Sequence, residues 1–403
     1  MTRRTFLAGA SVVLPDRVAT GVTIVIEGDR IVDLVSGPRE IGAGEERLDL
    51  TGRVIVPGFI DVHVHGVAGI DVLDGRGAVA RVAQRLPRWG VTAFCPTSLA
   101  CPPDVLAAFL EDVASARAAG AAGHARVLPA HLESNFISQE FRGAQPAQCL
   151  RAPAAIAAAD PGAFDAAEIL TLFERHRPDI GIVTLAPELD GGLDLVRNLV
   201  RAGTRVALGH SGASFEEAQA AIAAGASHAT HLFNRMRVMS HRDPGLVGAV
   251  LSSDEIAAEI IADGHHVHPA VMRVAIAAKG ASRLMAISDG TAGAGLPAGS
   301  RARLGGLPIT VGDVARLDDG TMAGSVATMD RVFATLVTAC DLDLVQAAEM
   351  CATTPARELG LIGFGLISPG AAADLTVLDD GLRVVETWIA GTRGPLEFST
   401  DFA

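Results

Sequence analysis

Two histidines two residues apart, His63 and His65, close an apolar run in "DVHVHG". On a strand, side chains at i and i+2 share a face, so both imidazoles point the same way. Further ligand-type residues close later apolar runs: Glu133 in "HLES", His210 in "LGHSG", His231 in "ATHLFN" and Asp289 in "AISDG". Imidazole nitrogens suit zinc or iron(II), and a carboxylate bridges two such ions. The six together make a complete set for two metals. Asp289 has a second use: a carboxylate beside a metal-bound water takes its proton and hands it to a departing amine. That is the chemistry of amide hydrolysis. Any one of these residues alone reads as a loop residue or a helix cap. Ligand types at the ends of five separate strands carry the argument. His124, His176 and His241 read as solvated or structural.

Such a set needs a scaffold that gathers strand ends. Eight apolar, strand-like runs occur between residues 54 and 287: Val54–Val64, Val91–Pro96, Ala125–Leu132, Ile180–Leu185, Thr204–Leu208, His228–Leu232, Ile256–Ala262 and Leu284–Ile287. Alanine-rich helical runs lie between most of them, including Asp104–Ala118, Gly192–Arg201, Phe215–Ala224 and Pro269–Ala278. This alternation predicts an α/β (β/α)8 TIM-type barrel, whose active site lies at the C-terminal strand ends. A doubly wound open sheet is the alternative, but no G-x-G-x-x-G follows an early strand. The first 50 residues read as short strands, with a hairpin turn at Gly28-Asp29 between Val22–Glu27 and Arg30–Val35. Asp374–Asp379 and Val384–Gly391 read the same way, so both ends of the chain supply strands for one satellite sheet.

Composition narrows the partners. Of 403 residues 49% are apolar, enough for a large core, and the net charge is −13 without a long basic run. That argues against nucleic acid or an anionic membrane, and makes a phosphorylated substrate depend on a local basic pocket. The five cysteines include no C-x-x-C, which fits a reducing, cytoplasmic setting. "TRRTFLAGA" has the look of a twin-arginine export signal, but Pro15-Asp16 interrupts the short apolar stretch, and Phe6–Leu14 reads as a first strand. No run reaches the ~20 apolar residues that span a membrane.

The strings "PGFIDVHVHG", "HLES", "TLAPE", "GHSGAS", "ATHLFNRM", "DPGLVGA", "IADGHHV", "SDG", "DGTMAGS" and "TTPAR" cover nearly the whole chain. They resemble the N-acetylglucosamine-6-phosphate deacetylase family of the amidohydrolase superfamily. H-x-H alone indicates the superfamily; "ATHLFN", "IADGHHV" and "DGTMAGS" are far more specific. The resemblance implies a metal-dependent barrel over residues 55–365. It also implies a small β-sandwich domain from residues 1–54 and 366–403. A divalent metal is expected at Glu133, His210 and His231, and the retained His63 and His65 allow a second ion. The implied reaction deacetylates N-acetyl-D-glucosamine 6-phosphate by attack of a metal-bound hydroxide, with Asp289 as general base and acid. The implied substrate contacts are Gln145, Asn234, Arg235, Arg242, His266 and Met322. A homodimer is expected, with a loop crossing into the neighbour's site.

The chain departs from the family pattern at several positions. Ser134-Asn135 follow Glu133 where the family has Gly-Pro, and Gln145 stands where a substrate-touching histidine is usual. Arg235 replaces a common alanine, and "GTAGAGLPAG" after Asp289 differs from the usual alanine-rich form. Glutamine donates a hydrogen bond but carries no proton charge. The reaction type therefore follows more directly than the substrate. N-acetylgalactosamine 6-phosphate, another acylated amino sugar or an N-acyl amino acid are the alternatives. A non-catalytic barrel would be expected to have lost ligands, and none of the six is missing.

Overall fold

Strands buried on both faces read as continuous apolar runs, and eight such strands form the centre of the computed structural model. The structure describes residues 4–37, 42, 45–154 and 164–394. In chain order the central strands are β1 (Phe59–Val64), β2 (Val91–Ser98), β3 (Ala130–Glu133), β4 (Ile180–Leu185), β5 (Arg205–Leu208), β6 (His228–Ala229), β7 (Ala257–Ile261) and β8 (Leu284–Ile287). Each pairs in parallel with the next. The ring is nearly closed by a parallel bridge from Val64 to Gly290, where the N–H groups of His65 and Gly66 donate to the Gly290 carbonyl at 2.8 and 2.9 Å.

A helix follows every strand, as the alternating pattern predicts. They are α1 (Ala78–Arg85), α2 (Pro103–Ala119), α3 (Ala166–Arg175), α4 (Gly192–Arg201), α5 (Phe215–Ala223), α6 (Gly245–Ser252), α7 (Pro269–Lys279) and α8 (Met329–Thr338). Their apolar faces cover the ring; Phe59 of β1, for example, stacks on Phe333 of α8 at 5.3 Å. A separate apolar cluster joins Ile60 and Val62 to Ala93, Ile182, Ala207, Ala257 and Met285 across the barrel. None of the described helices is long and apolar enough to cross a membrane.

Several expected strands are interrupted. The run Val54–Val64 is two strands, because Val54–Pro57 belongs to an outer sheet and β1 begins after Gly58. A Cβ on Gly58 would sit 2.2 Å from Thr92 Cγ2, so only glycine lets the chain pass between the sheets there. The expected Ala125–Leu132 strand divides into Arg126–Val127 and β3, with Pro129 between. Phe6–Leu14 divides into Arg4–Ala8 and Ser11–Val13, with Gly9 at φ 85° between.

Two outer sheets lie beside the barrel. One orders Arg30–Ser36, Val22–Glu27, Arg4–Ala8 and Glu46–Asp49. The other joins N-terminal strands to Leu375–Leu378, Val384–Ile389 and Thr392–Arg393. They share a core in which Leu7, Ile24 and Ile31 meet Val12, Ile55, Leu375 and Trp388. Thr2 and Arg3 of the export-like segment, and residues 395–403 of the expected small domain, lie outside the described residues.

Candidate metal centre and active site

The barrel delivers three of the candidate residues to its mouth by kinking the strand as it ends. His210, His231 and Asp289 follow β5, β6 and β8, and all three hold left-handed backbone conformations, with φ of 48°, 29° and 48°. Non-glycine residues rarely adopt this region, and their gathering at one site marks a functional constraint. The kinks also explain why β6 ends at Ala229 and not at the expected Leu232. His63 and Glu133 arrive on β1 and β3, His65 directly follows β1, and all three are almost fully buried.

The six side chains form two adjoining lobes. In the first, Nε2 of His210 and Nε2 of His231 each lie 2.9 Å from Glu133 Oε1 and 3.0 Å from each other. In the second, Nε2 of His63 and Nε2 of His65 are 3.2 Å apart, with Asp289 Oδ1 at 3.4 and 3.2 Å and Glu133 Oε2 3.5 Å from His65. Glu133 thus offers one oxygen to each lobe. His65 Nδ1 lies 3.0 Å from the Thr97 carbonyl, and His210 Nδ1 lies 2.8 Å from the Phe141 carbonyl. A carbonyl only accepts, so these Nδ1 atoms carry the protons and, in the neutral rings, Nε2 is a lone pair. Lone pairs facing one another and carboxylate oxygens at these distances need positive charge between them. The donor set therefore fits divalent cations in both lobes.

The titration of the cluster points the same way. Burial alone would raise the Glu133 carboxyl, but His210, His231 and His63 override it and hold it well below the usual range. Burial opposes protonation of His65, yet Asp289 and Glu133 push it up to about 9. His231 is raised against burial by Glu133 and Asp289. His63, by contrast, is held well below the usual value by burial and the neighbouring His131. The two carboxylates call for cations, and the protein supplies no lysine or arginine among the described residues in hydrogen-bond or ion-pair contact with them.

A cavity of about 350 Å³ opens over the cluster. Of the residues expected at the site, His65, Glu133, His210, His231, Asp289, Gln145, Asn234, Arg235, His266 and Met322 line it; His63 lies buried beneath. Arg242 does not line it. Arg242 sits on an exposed loop with its N–H near Ser240 Oγ, because the turn after Arg237 carries it outward. Gln145 is fixed at both ends of its amide. The Ala100 N–H donates to its Oε1 at 2.8 Å, and its Nε2 donates to Glu133 Oε2. His266 is oriented by Asp263, 2.7 Å from its Nδ1, and burial of that carboxyl is outweighed by the histidine, which keeps it low.

Ser134 and Asn135, which depart from the family pattern beside Glu133, do not line the cavity. Ser134 Oγ donates to the Thr184 carbonyl at 2.6 Å, and Asn135 Nδ2 donates to the carbonyls of Cys101 and Cys149 at 2.9 and 2.7 Å. Both are 2% exposed. They stitch the loop after β3 to its neighbours. His131, within β3, bonds the Val62 carbonyl and Thr184 Oγ1, so neither ring nitrogen is free for a metal.

Three residues at the site escaped the sequence reading. Glu259 of β7 is fully buried 3.0 Å from His63 Nδ1. Asp61 of β1 accepts from Ser288 Oγ at 2.5 Å and from the backbone of His63, tying the first strand end to the last; burial pushes its carboxyl up to about 7. Gly143, φ 62°, faces Arg235: a Cβ there would lie 2.7 Å from Arg235 Nε. The detectable signal was a single carboxylate inside an otherwise apolar strand, "AAEII" and "FIDV".

The model of the amidohydrolase family matches residues 54–394. The chain is 34% identical over 377 residues to an N-acetylgalactosamine-6-phosphate deacetylase of Escherichia coli O157:H7, covering 93% of each chain. It is 38% identical over 384 residues to the human N-acetylglucosamine-6-phosphate deacetylase, covering 91% of this chain and 90% of that one. Among solved structures, an N-acetylglucosamine-6-phosphate deacetylase from Pasteurella multocida superposes with TM-score 0.87 at 27% identity, covering 97% and 99%. An aspartate-to-alanine variant of the Mycobacterium smegmatis enzyme, in complex with N-acetyl-D-glucosamine 6-phosphate, gives 0.86 at 32%, with the same coverage.

Proposed function

The chain belongs to the amidohydrolase family, and from that premise we propose that it deacetylates N-acetyl-D-glucosamine 6-phosphate to D-glucosamine 6-phosphate and acetate. The observation that carries this reading is the two-lobed cluster of four histidines and two carboxylates under the cavity. His63, His65, Glu133, His210, His231 and Asp289 would hold one or two divalent ions, zinc or iron by ligand type. A bound ion supplies Lewis acidity, lowering the pKa of water to about 7 and polarising the acetamide carbonyl. Asp289 takes the proton of the attacking water and returns it to the departing amine. Gln145 holds Glu133 in place by its amide donor. His266 meets the sugar, and Met322 supplies an apolar wall beside it. Asn234 and Arg235 receive the phosphate; the planar guanidinium suits it.

A second substrate, N-acetylgalactosamine 6-phosphate, is favoured by the 34% relative that covers 93% of the chain. The chemistry would be the same. The rest of the reading is a homodimer in the cytoplasm. Val238 and Met239, 84% and 46% exposed on the loop that bears Arg242, support a subunit contact there. Five buried, unpaired cysteines suit a reducing compartment.

The test is acetate release from both sugar phosphates and from unphosphorylated N-acetylglucosamine, with metal content measured on the same sample. We expect kcat/KM for a phosphorylated sugar about 100-fold above the unphosphorylated one, equivalent to ~2.7 kcal/mol of phosphate grip. Equal rates would remove the phosphate pocket; no acetate from any of the three would remove the activity.

A further inference from the structure

Glu259 is a carboxylate with no ordinary reason to be where it is. It lies on β7 among alanines and isoleucines and is 0% exposed. Burying a carboxylate costs several kcal/mol unless positive charge or donors compensate it. Among the described residues its ion-pair neighbours are two histidines only: His63 Nδ1 at 3.0 Å from Oε2 and His131 Nδ1 at 3.6 Å from Oε1. The His131 proton is already directed to the Val62 carbonyl at 3.0 Å. Oε2 also receives the His231 backbone N–H at 3.4 Å, while Oε1 is buried with no hydrogen-bond partner. The carboxylate is therefore undercompensated by the protein alone.

The anchors of the other histidines give the contrast. His65 and His210 each rest Nδ1 on a neutral backbone carbonyl. His231 Nδ1 is buried without a hydrogen-bond partner, and of these four clustered histidines His63 alone rests Nδ1 on a carboxylate. An anionic partner at one imidazole nitrogen fixes the tautomer and makes the opposite nitrogen a stronger ligand. In His63 that opposite nitrogen is Nε2, 3.2 Å from Nε2 of His65 and 3.4 Å from Asp289 Oδ1.

We propose that Glu259 is a positioning residue for the His63/His65 lobe: it holds His63 with Nε2 turned to the cluster, and its charge is what makes this lobe bind an ion of its own. The proposal rests on the reading of the cluster as a divalent-metal site. It adds that the protein takes up two ions per chain and that the affinity of one of them is set by a residue touching neither ion.

Glu259→Gln is the sharp variant, since glutamine keeps the shape and an acceptor for both N–H groups but removes the charge. Zinc is titrated into stripped wild-type and variant protein in competition with a chromophoric chelator, and thermal melting is followed with and without metal. The wild type is expected to bind two equivalents. In Glu259→Gln one equivalent should weaken about 10- to 100-fold, the typical effect of losing such a partner, and the other should not change. Stripped Glu259→Gln should melt no lower than stripped wild type, because the neutral amide keeps an acceptor for the His63 and His231 N–H groups, yet gain less from added zinc. A purely structural glutamate would give the opposite melting result. Should the glutamine variant fail to fold, Glu259→Asp, which withdraws the carboxylate by one methylene, is expected to weaken the same equivalent. Unchanged affinity of both equivalents in the folded variant overturns the proposal. So does a wild type that saturates at one equivalent, which leaves the deacetylase reading intact. A wild type that binds no zinc, iron(II) or other divalent ion overturns both.

Discussion

The floor of the cavity and its rim are built in opposite ways. On the floor, strand ends hold every candidate ligand, and His63, His65 and His210 are each pinned at Nδ1 by a different part of the chain. Packing and these hydrogen bonds over-determine all three positions. On the rim, Asn234 and Arg235 project from a loop with φ of 51° at Arg235, and the following stretch from Arg237 to Arg242 is exposed. That loop is tied down chiefly at Ser211, whose N–H donates to the Arg235 carbonyl and whose carbonyl accepts from the Arg237 N–H. On the proposed reading, the floor would carry chemistry that tolerates little displacement and the rim contacts that vary without disturbing it. The departures from the family pattern at Gln145 and Arg235 fall on cavity-lining positions above the clustered histidines and carboxylates.

Experiments that strain the contrast start at the floor. Removing metal with a chelator should abolish acetate release and lower the melting temperature, since a ligand held at 100 times its Kd stabilises by ~2.7 kcal/mol; a stripped protein that keeps full turnover would break the metal reading. Next, Asp289→Asn should reduce kcat by about 10²- to 10⁴-fold, the range for losing a general acid–base group, as read in a steady-state assay. Its zinc content should fall less than that of His210→Ala.

At the rim the effects become smaller and change character. Arg235→Ala should raise KM for the sugar phosphate about 10- to 100-fold, as expected for losing a charge-assisted bond of ~1.5–3 kcal/mol, with little change for an unphosphorylated sugar. An equal loss on both substrates would move Arg235 from phosphate grip to local folding. Gln145→Ala tests a residue shared by both regions. It frees Glu133 Oε2 and strips the Ala100 N–H of its acceptor, costing about 1–3 kcal/mol; we expect a lower melting temperature together with weaker metal retention. Asn135→Ala should cost a similar ~1–3 kcal/mol of stability for two abandoned buried carbonyls, with kcat/KM of the folded variant unchanged. A change in substrate preference there would return Asn135 to the substrate shell.

How far the sequence could be read depended on whether a feature is local. The alternation of apolar strands and helices predicted the barrel, and α4 begins and ends as expected at Gly192 and Arg201. Strand limits failed where the break came from a neighbour. Gly58 divides one apolar run because Thr92 leaves no room for a side chain. The place of Ser134 and Asn135 was hidden for a related reason. Lying next to Glu133 in sequence does not place them next to it in the cavity, since the chain turns after β3 and carries them into the protein.

The sequence by itself determined which ligand types stand at which strand ends, because a strand presents alternate residues to one side whatever surrounds it. Only the tertiary structure decided how they are aimed. Left-handed kinks at His210, His231 and Asp289, the Gln145 bridge to Glu133, and the Glu259 carboxylate behind His63 all arise when the ring closes. His63 and Glu259 are 196 residues apart, and no local pattern couples them. They meet because β1 and β7 face a common centre, where a buried charge has to find its compensation.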